Sequence, residues 1–147
     1  MGTLQEHAED PVVLLVKRCH EELRHTRGVV VTVASINAQD DTMTWLGVGN
    51  VEGLLLRAEG RAGSAREYVV MRGGVVGEQL PPLHASVVPI RTGDTLVLAT
   101  DGIGHGFADG LNLNDPPQSI AERILSSHGK ATDDALALVV RYIGRAP

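Results

Sequence analysis

Apolar residues recur along this chain with two periods, and the changes of period mark its elements. Val12, Leu15, Val16, Cys19 and Leu23 fall three and four apart, the spacing of one helical face. Asp10-Pro11 supplies an N-cap acid and a proline at the first helical position. His25 to Gly28 supplies basic residues and a glycine at the far end, where the helix dipole and C-cap geometry favour them. The pattern predicts a helix over about 11–26, with Leu4 to His7 reading as the tail of an earlier one. From Val29 the period shortens. Val29–Ile36 and Met43–Val48 are β-prone runs on either side of a polar, turn-like Ala38–Thr42, which predicts a β-hairpin.

A glycine-rich corner, Gly47 to Gly53, leads into a strand at Leu54–Arg57. Gly60–Ser64 reads as a loop and Tyr68–Met71 as a strand. Gly73, Gly74 and Gly77 bracket Val75-Val76, and Leu80-Pro81-Pro82-Leu83 is a stiff connection without N–H groups at its prolines. Ser86–Ile90 and Thr95–Thr100 read as a second hairpin around Thr92-Gly93-Asp94. Asp115-Pro116 repeats the N-cap signal, and Ile120, Ala121, Ile124 and Leu125 form the stripe of a helix ending at His128-Gly129. The last run, Ala135–Tyr142, is apolar on both faces and predicts a central strand. Helix, strands, helix, strand is an α+β order with helices packed on sheet faces. At 147 residues the expectation is one domain, 1–147.

Composition narrows the function. The chain is 43% apolar and 21% charged, ordinary for a soluble globular protein. A formal charge of −5 and only 3% aromatics argue against nucleic-acid partners, which need a basic face and stacking platforms. No apolar run approaches the roughly 20 residues of a membrane span, and no secretory signal pattern occurs. The single Cys19 cannot form an internal disulfide, so a reducing cytoplasm is the expected compartment. Cys19 falls on the apolar helix face and reads as core rather than nucleophile.

The candidate chemistry lies where buried strands stop. Thr95–Thr100 ends at Asp101, followed by Gly102, Gly104, His105 and Gly106. A carboxylate there has a fixed backbone behind it, and the glycines admit a ligand close to the main chain. That suits a hard cation or a phosphate. Asp133 and Asp134 precede the final strand, 32 positions after Asp101 in the case of Asp133. If the two strands are antiparallel neighbours, both acids reach one sheet edge. Paired carboxylates repel unless a cation or proton is shared, and an all-oxygen site suits Mg2+ or Mn2+ rather than zinc. Read alone, these residues equally allow Asp101-Gly102 to be a tight turn and Asp133 or Asp134 to cap the approach to a strand. The histidines show no metal-ligand spacing. His20 and His25, five apart, lie on different helix faces. Neither a P-loop nor a dinucleotide fingerprint occurs.

Gly93-Asp94-Thr95-Leu96-Val97-Leu98-Ala99-Thr100-Asp101-Gly102, a helix, then Thr132-Asp133-Asp134-Ala135-Leu136-Ala137-Leu138-Val139-Val140 resembles the last two motifs of the metal-dependent type 2C (PPM) protein phosphatases. Within them the likeness is to the SpoIIE-type branch and its small RsbX-like members. Arg18 to Glu21, Thr26 to Gly28 and Gly47 to Val51 also fit the RsbX-like pattern. The resemblance implies an α-β-β-α sandwich of two antiparallel sheets and a binuclear Mn2+ or Mg2+ site. It implies hydrolysis of phosphoserine or phosphothreonine by a metal-activated water, without a covalent phosphoenzyme. It makes Asp101 and Asp133 the metal ligands, with Gly102 and Asp134 in support. The implied partners are phosphorylated STAS-domain proteins of the stressosome, a stress-signalling complex.

Two departures qualify the resemblance. The family also carries, near its N-terminus, a Gly-Asp pair and an Asp-Gly-x-Gly-His-Gly motif whose aspartate bridges both metals. Asp101 to Gly106 is not that motif, because only 41 residues follow it and Gly93-Asp94 marks the later one. The chain is therefore expected to begin after the bridging aspartate. Asn50 stands where many relatives have an aspartate for an accessory metal. The consequences expected are weak or absent turnover, exposed apolar surface and self-association. The alternatives are a catalytically impaired remnant that still binds the same partners, or an unrelated α+β domain in which both acids are turn residues.

Overall fold

A four-stranded sheet with one helix against it is built twice along this chain. The computed structural model describes residues 11–58, 66–104, 106–129 and 134–144. The first unit comprises Met1–Val51 and Val69–Pro89, the second Glu52–Tyr68 and Ile90–Pro147. The fold class is the expected α+β.

In the first unit, helix α1 (Val12–Glu22) precedes the hairpin of β1 (Val31–Asn37) and β2 (Thr42–Val48). The hairpin is antiparallel, with Val31 opposite Val48 and Asn37 opposite Thr42. Its turn is closed by Asn37, whose side-chain oxygen accepts the Gln39 N–H at 2.9 Å. Two short strands pair with the other side of β2. One is β5 (Met71–Arg72), which runs parallel to it, and the other is β6 (Ser86–Pro89), which runs antiparallel. The 3.6-residue stripe of α1 buries Val12 and Val16 against Leu46, Val48 and Val76. Cys19 and Leu23 pack at the margin of that cluster. Burial, and then Glu22, push the Cys19 thiol above its ordinary value, in keeping with a core position.

Helix α1 is shorter than the 11–26 the spacing predicts, at both ends. Pro11 is the N-cap and Val12 the first helical residue; Asp10 and the Leu4–His7 segment lie outside the described residues. At the other end the backbone leaves the helix at Leu23, and His25 takes a left-handed φ of 70°. Thr26 competes with the helix there: its hydroxyl donates to the Leu23 carbonyl and accepts the Gly28 N–H at 2.9 Å.

The second unit orders its strands β4 (Arg66–Tyr68), β3 (Glu52–Leu56), β7 (Thr95–Ala99) and β8 (Ala137–Arg141), all antiparallel. Helix α2 (Pro117–His128) buries Ile120 and Ile124 against Leu54, Leu56, Val97 and Ala99. Fully burying each isoleucine is worth about 1.5–3 kcal/mol. Strand β7 is buried along nearly its whole length, as its unbroken apolar run predicts.

Four expectations are corrected. Tyr68–Met71 is not one strand: Tyr68 closes β4 in the second sheet, and Met71 opens β5 in the first. Ser86–Ile90 and Thr95–Thr100 do not form a hairpin, because β6 pairs β2 while β7 pairs β3 and β8. The Arg91–Asp94 turn is present (Asp94 N–H to the Arg91 carbonyl, 2.9 Å), but the Asp94 side chain directs the strand after it. Its carboxylate is buried and accepts Arg57 Nη1 at 2.8 Å, the Ala58 N–H at 3.0 Å and the Arg91 N–H at 2.9 Å. Arg57 also pairs with Glu67 on β4. These charge-assisted bonds tie the start of β7 to the end of β3. Asp115 is not the cap of α2. Pro116 is, with Pro117 first in the helix, and the Asp115 carbonyl instead accepts Arg141 Nη1 at 2.8 Å. Finally, among the described residues β8 pairs with β7 alone and stands last in its sheet, where a central strand was expected. The expected loop at Gly60–Ser64 lies outside the described residues. No helix among the described residues is long and apolar enough to cross a membrane.

Candidate metal centre

The β7–β8 register decides where the acidic residues go. Thr95 pairs with Arg141 and Ala99 with Ala137, so the end of β7 and the start of β8 share one rim. Thr100 continues the pairing one step further. Its N–H donates to the Leu136 carbonyl at 3.1 Å, and its hydroxyl accepts the Leu136 N–H at 2.9 Å. Beyond it the chain turns sharply, closed by the Ile103 N–H on the Thr100 carbonyl at 3.0 Å, with Asp101 and Gly102 in the middle. The tight-turn reading of Asp101-Gly102 is therefore correct. It does not compete with a role in a site, since the turn presents Asp101 to solvent at the rim.

Gly102 is what brings the two acidic segments together. It is buried, and a Cβ at that position would lie 2.0 Å from the Asp134 carbonyl oxygen and 3.0 Å from Ala135 Cα. Only a residue without a side chain lets the two backbones approach this closely. The far side of the turn is pinned to the end of α2. Gly104 N–H donates to the His128 carbonyl at 2.7 Å, and Ile103 bridges Gly129. Thus Asp101 sits on a turn anchored to the approach to β8 on one side and α2 on the other, and Asp134, whose main chain meets Gly102, is exposed.

Of the sequence-predicted site residues, the structure brings Asp101, Gly102 and the backbone of Asp134 together. Asp133 and His105 lie outside the described residues. Among the described residues no three His, Cys, Asp or Glu side chains gather as metal ligands. Thr100 and Ile103 were not singled out from the sequence, although a hydroxyl residue just before Asp-Gly is a recognised signal for local side-chain-to-backbone bonding. Among the described residues the rim offers the carboxylates of Asp101 and Asp134 and main-chain carbonyl oxygens, donors of the kind that Mg2+ or Mn2+ takes. Asn50 lies in the first unit, after Gly49, whose N–H donates to the Arg72 carbonyl at 2.7 Å.

The family model described as Stage II sporulation protein E (SpoIIE) matches residues 4–143. Solved structures share the fold. One is described by the words "The bacterial stressosome: a modular system that has been adapted to control secondary messenger signaling". It superposes at a TM-score of 0.83 with 24% identity, over 95% of this chain and 72% of that one. RsbX in complex with magnesium gives 0.79 at 18% identity, over 94% and 67%. The phosphatase domain of the cell fate determinant SpoIIE from Bacillus subtilis gives 0.59 at 23% identity, over 97% and 69%. At these identities the likeness establishes the fold. No curated protein sequence matches the chain.

Proposed function

The chain belongs to the SpoIIE family, and from that premise we propose that it is a divalent-metal-dependent protein serine/threonine phosphatase of cytoplasmic stress signalling. Its substrates are phosphorylated STAS-domain regulators. Asp101 and Asp133 hold the metal, and Gly102 and Asp134 support them. The observation that carries this reading is the contact of Gly102 with the Asp134 backbone, which seats two acid-bearing segments on one rim. The oxygen donors among the described residues of the rim fit Mn2+ or Mg2+.

When bound, such an ion supplies Lewis-acid activation of water and neutralises charge on the phosphoryl oxygens. The chain's own residues do the positioning. Asp101 offers its carboxylate from a turn fixed at Thr100 and Ile103. Gly102 leaves room for the Asp134 main chain, so the donors from β7 and β8 stay in register. The rim is open to solvent at Asp101 and Asp134, as a site for a phosphorylated residue on another protein requires.

A second reading keeps the rim and the partners but not the chemistry. On that reading the chain docks on the same phosphorylated partners without turning them over. Mn2+-dependent hydrolysis of p-nitrophenyl phosphate by wild type, Asp101→Asn and Asp133→Asn separates the two. The phosphatase reading expects turnover that is weak, stimulated by Mn2+ and lost in each variant. Mn2+ binding by calorimetry without turnover supports the docking reading. Absence of any Mn2+ response, or turnover unchanged by both substitutions, overturns the metal site itself.

A further inference from the structure

The last rung between β7 and β8 is completed by a side chain. In an antiparallel ladder, two opposite residues of a hydrogen-bonded pair exchange both main-chain N–H to C=O bonds. Thr100 stands opposite Leu136, one step beyond the pairing of Ala99 with Ala137. The first bond of the rung is the ordinary one, with the Thr100 N–H on the Leu136 carbonyl at 3.1 Å. The second is not. The Leu136 N–H donates to the Thr100 hydroxyl at 2.9 Å, and the hydroxyl itself donates to the Leu136 carbonyl at 3.4 Å. The Thr100 carbonyl accepts the Ile103 N–H instead, at 3.0 Å.

This change of acceptor serves two segments at once. The rung to the approach to β8 is kept, so the stretch that bears Asp133 and Asp134 in sequence stays in register with β7. The main-chain carbonyl is released to close the Thr100–Ile103 turn, in which Asp101 is the first of the two central residues. A strand residue without a short side-chain acceptor would leave one carbonyl to serve both N–H groups. Valine has the shape and strand preference of threonine but no acceptor, whereas serine keeps the hydroxyl. Hydroxyl bonds to nearby main chain compete with ladder bonds, and here the competition ends the strand at one defined residue. Two residues further on, Gly102 meets the Asp134 carbonyl. The hydroxyl bond and the glycine contact therefore hold the two acidic segments at neighbouring points.

Given the metal site assigned to Asp101 and Asp133, on which this step rests, we propose that Thr100 is a positioning residue of that site. Its hydroxyl, by standing in for its own carbonyl, sets the spacing between Asp101 and the stretch bearing Asp133 and Asp134. Mn2+ titration calorimetry on the full chain is expected to show Thr100→Val binding about 10–100-fold more weakly than wild type, the usual effect of losing a group that orients metal ligands. Thr100→Ser should bind near wild type. Thr95→Val removes a hydroxyl at the far end of the same strand, where it accepts Arg141 Nε at 3.4 Å. It should leave Mn2+ affinity unchanged whatever it does to the melting midpoint. Far-UV circular dichroism checks folding in each case. In amide exchange of the metal-free protein, Ile103 and Leu136 should lose protection in Thr100→Val and keep it in Thr100→Ser, because only the valine variant makes them share one carbonyl. Mn2+ affinity untouched by Thr100→Val, or lowered equally by Thr100→Ser or Thr95→Val, overturns the role of Thr100 and leaves the metal site standing. A wild type that binds no Mn2+ overturns the site and the role together.

Discussion

Replacing Gly102 with alanine tests the geometry on which the rim depends. A Cβ there meets the Asp134 carbonyl oxygen at 2.0 Å, the Asp134 carbonyl carbon at 2.8 Å and Ala135 Cα at 3.0 Å. All three are main-chain atoms, so no flexible side chain can swing aside. Relieving the closest contact requires the β7 turn and the approach to β8 to part by about 1 Å, since real Cβ contacts do not fall below 3.0 Å. That motion strains the Thr100–Leu136 pairing on one side and the Gly104–His128 bond on the other. Overpacking of this kind costs about 1–3 kcal/mol, and rigid neighbours place it in the upper half of that range. For a chain of this size each kcal/mol moves the melting midpoint by about 2–4 °C, giving a loss of roughly 4–12 °C. Because the strain falls between the two acidic segments, Mn2+ affinity is expected to fall with stability. Gly73→Ala is the control: a Cβ there meets nothing within 4 Å, and the change should stay within about 0.5 kcal/mol. Gly102→Ala melting alongside Gly73→Ala, with Mn2+ affinity intact, would refute the close approach.

Asp94→Ala removes the carboxylate that accepts Arg57, Ala58 and Arg91 and takes an anionic partner from the largely buried Arg57 guanidinium, which keeps its pair with Glu67. The expected loss is about 3 kcal/mol by urea denaturation, the lower end for a broken buried pair because Glu67 remains. The Cys19 thiol, pushed up mainly by burial, should react with iodoacetamide at pH 8 more slowly than in the urea-unfolded chain. Its folded pKa lies above the unfolded one, so its linkage term is fully present below the ordinary thiol value of 9.0 and is lost as pH rises beyond it. A pH titration of the melting midpoint above 9 checks the sign. Removing metal with EDTA should abolish any p-nitrophenyl phosphate hydrolysis and leave far-UV circular dichroism unchanged, and re-added Mn2+ should restore it.

The resemblance to the PPM phosphatases rested on strings of residues, and the family match and shared fold agree with it. The element types were legible because each follows from a local period. The α1 and α2 stripes and the unbroken run of β7 need only near neighbours in sequence to be read. Partner choice is a different kind of information. Nothing local in Ser86–Thr100 says that β6 joins β2 while β7 joins β3, because an ordinary turn sits between them. The deciding bonds come from Arg57 and Ala58, more than thirty positions away from Asp94. The same limit hid the place of β8 in its sheet. An apolar run reads alike whether paired on both sides or on one, and only the strand order of the described residues shows β8 last in its sheet. At the rim, the Asp-Gly pair could be read as a turn from its residue types. That Gly102 must be glycine because another strand's backbone rests on it is a consequence of packing, which emerges only when distant segments meet in space.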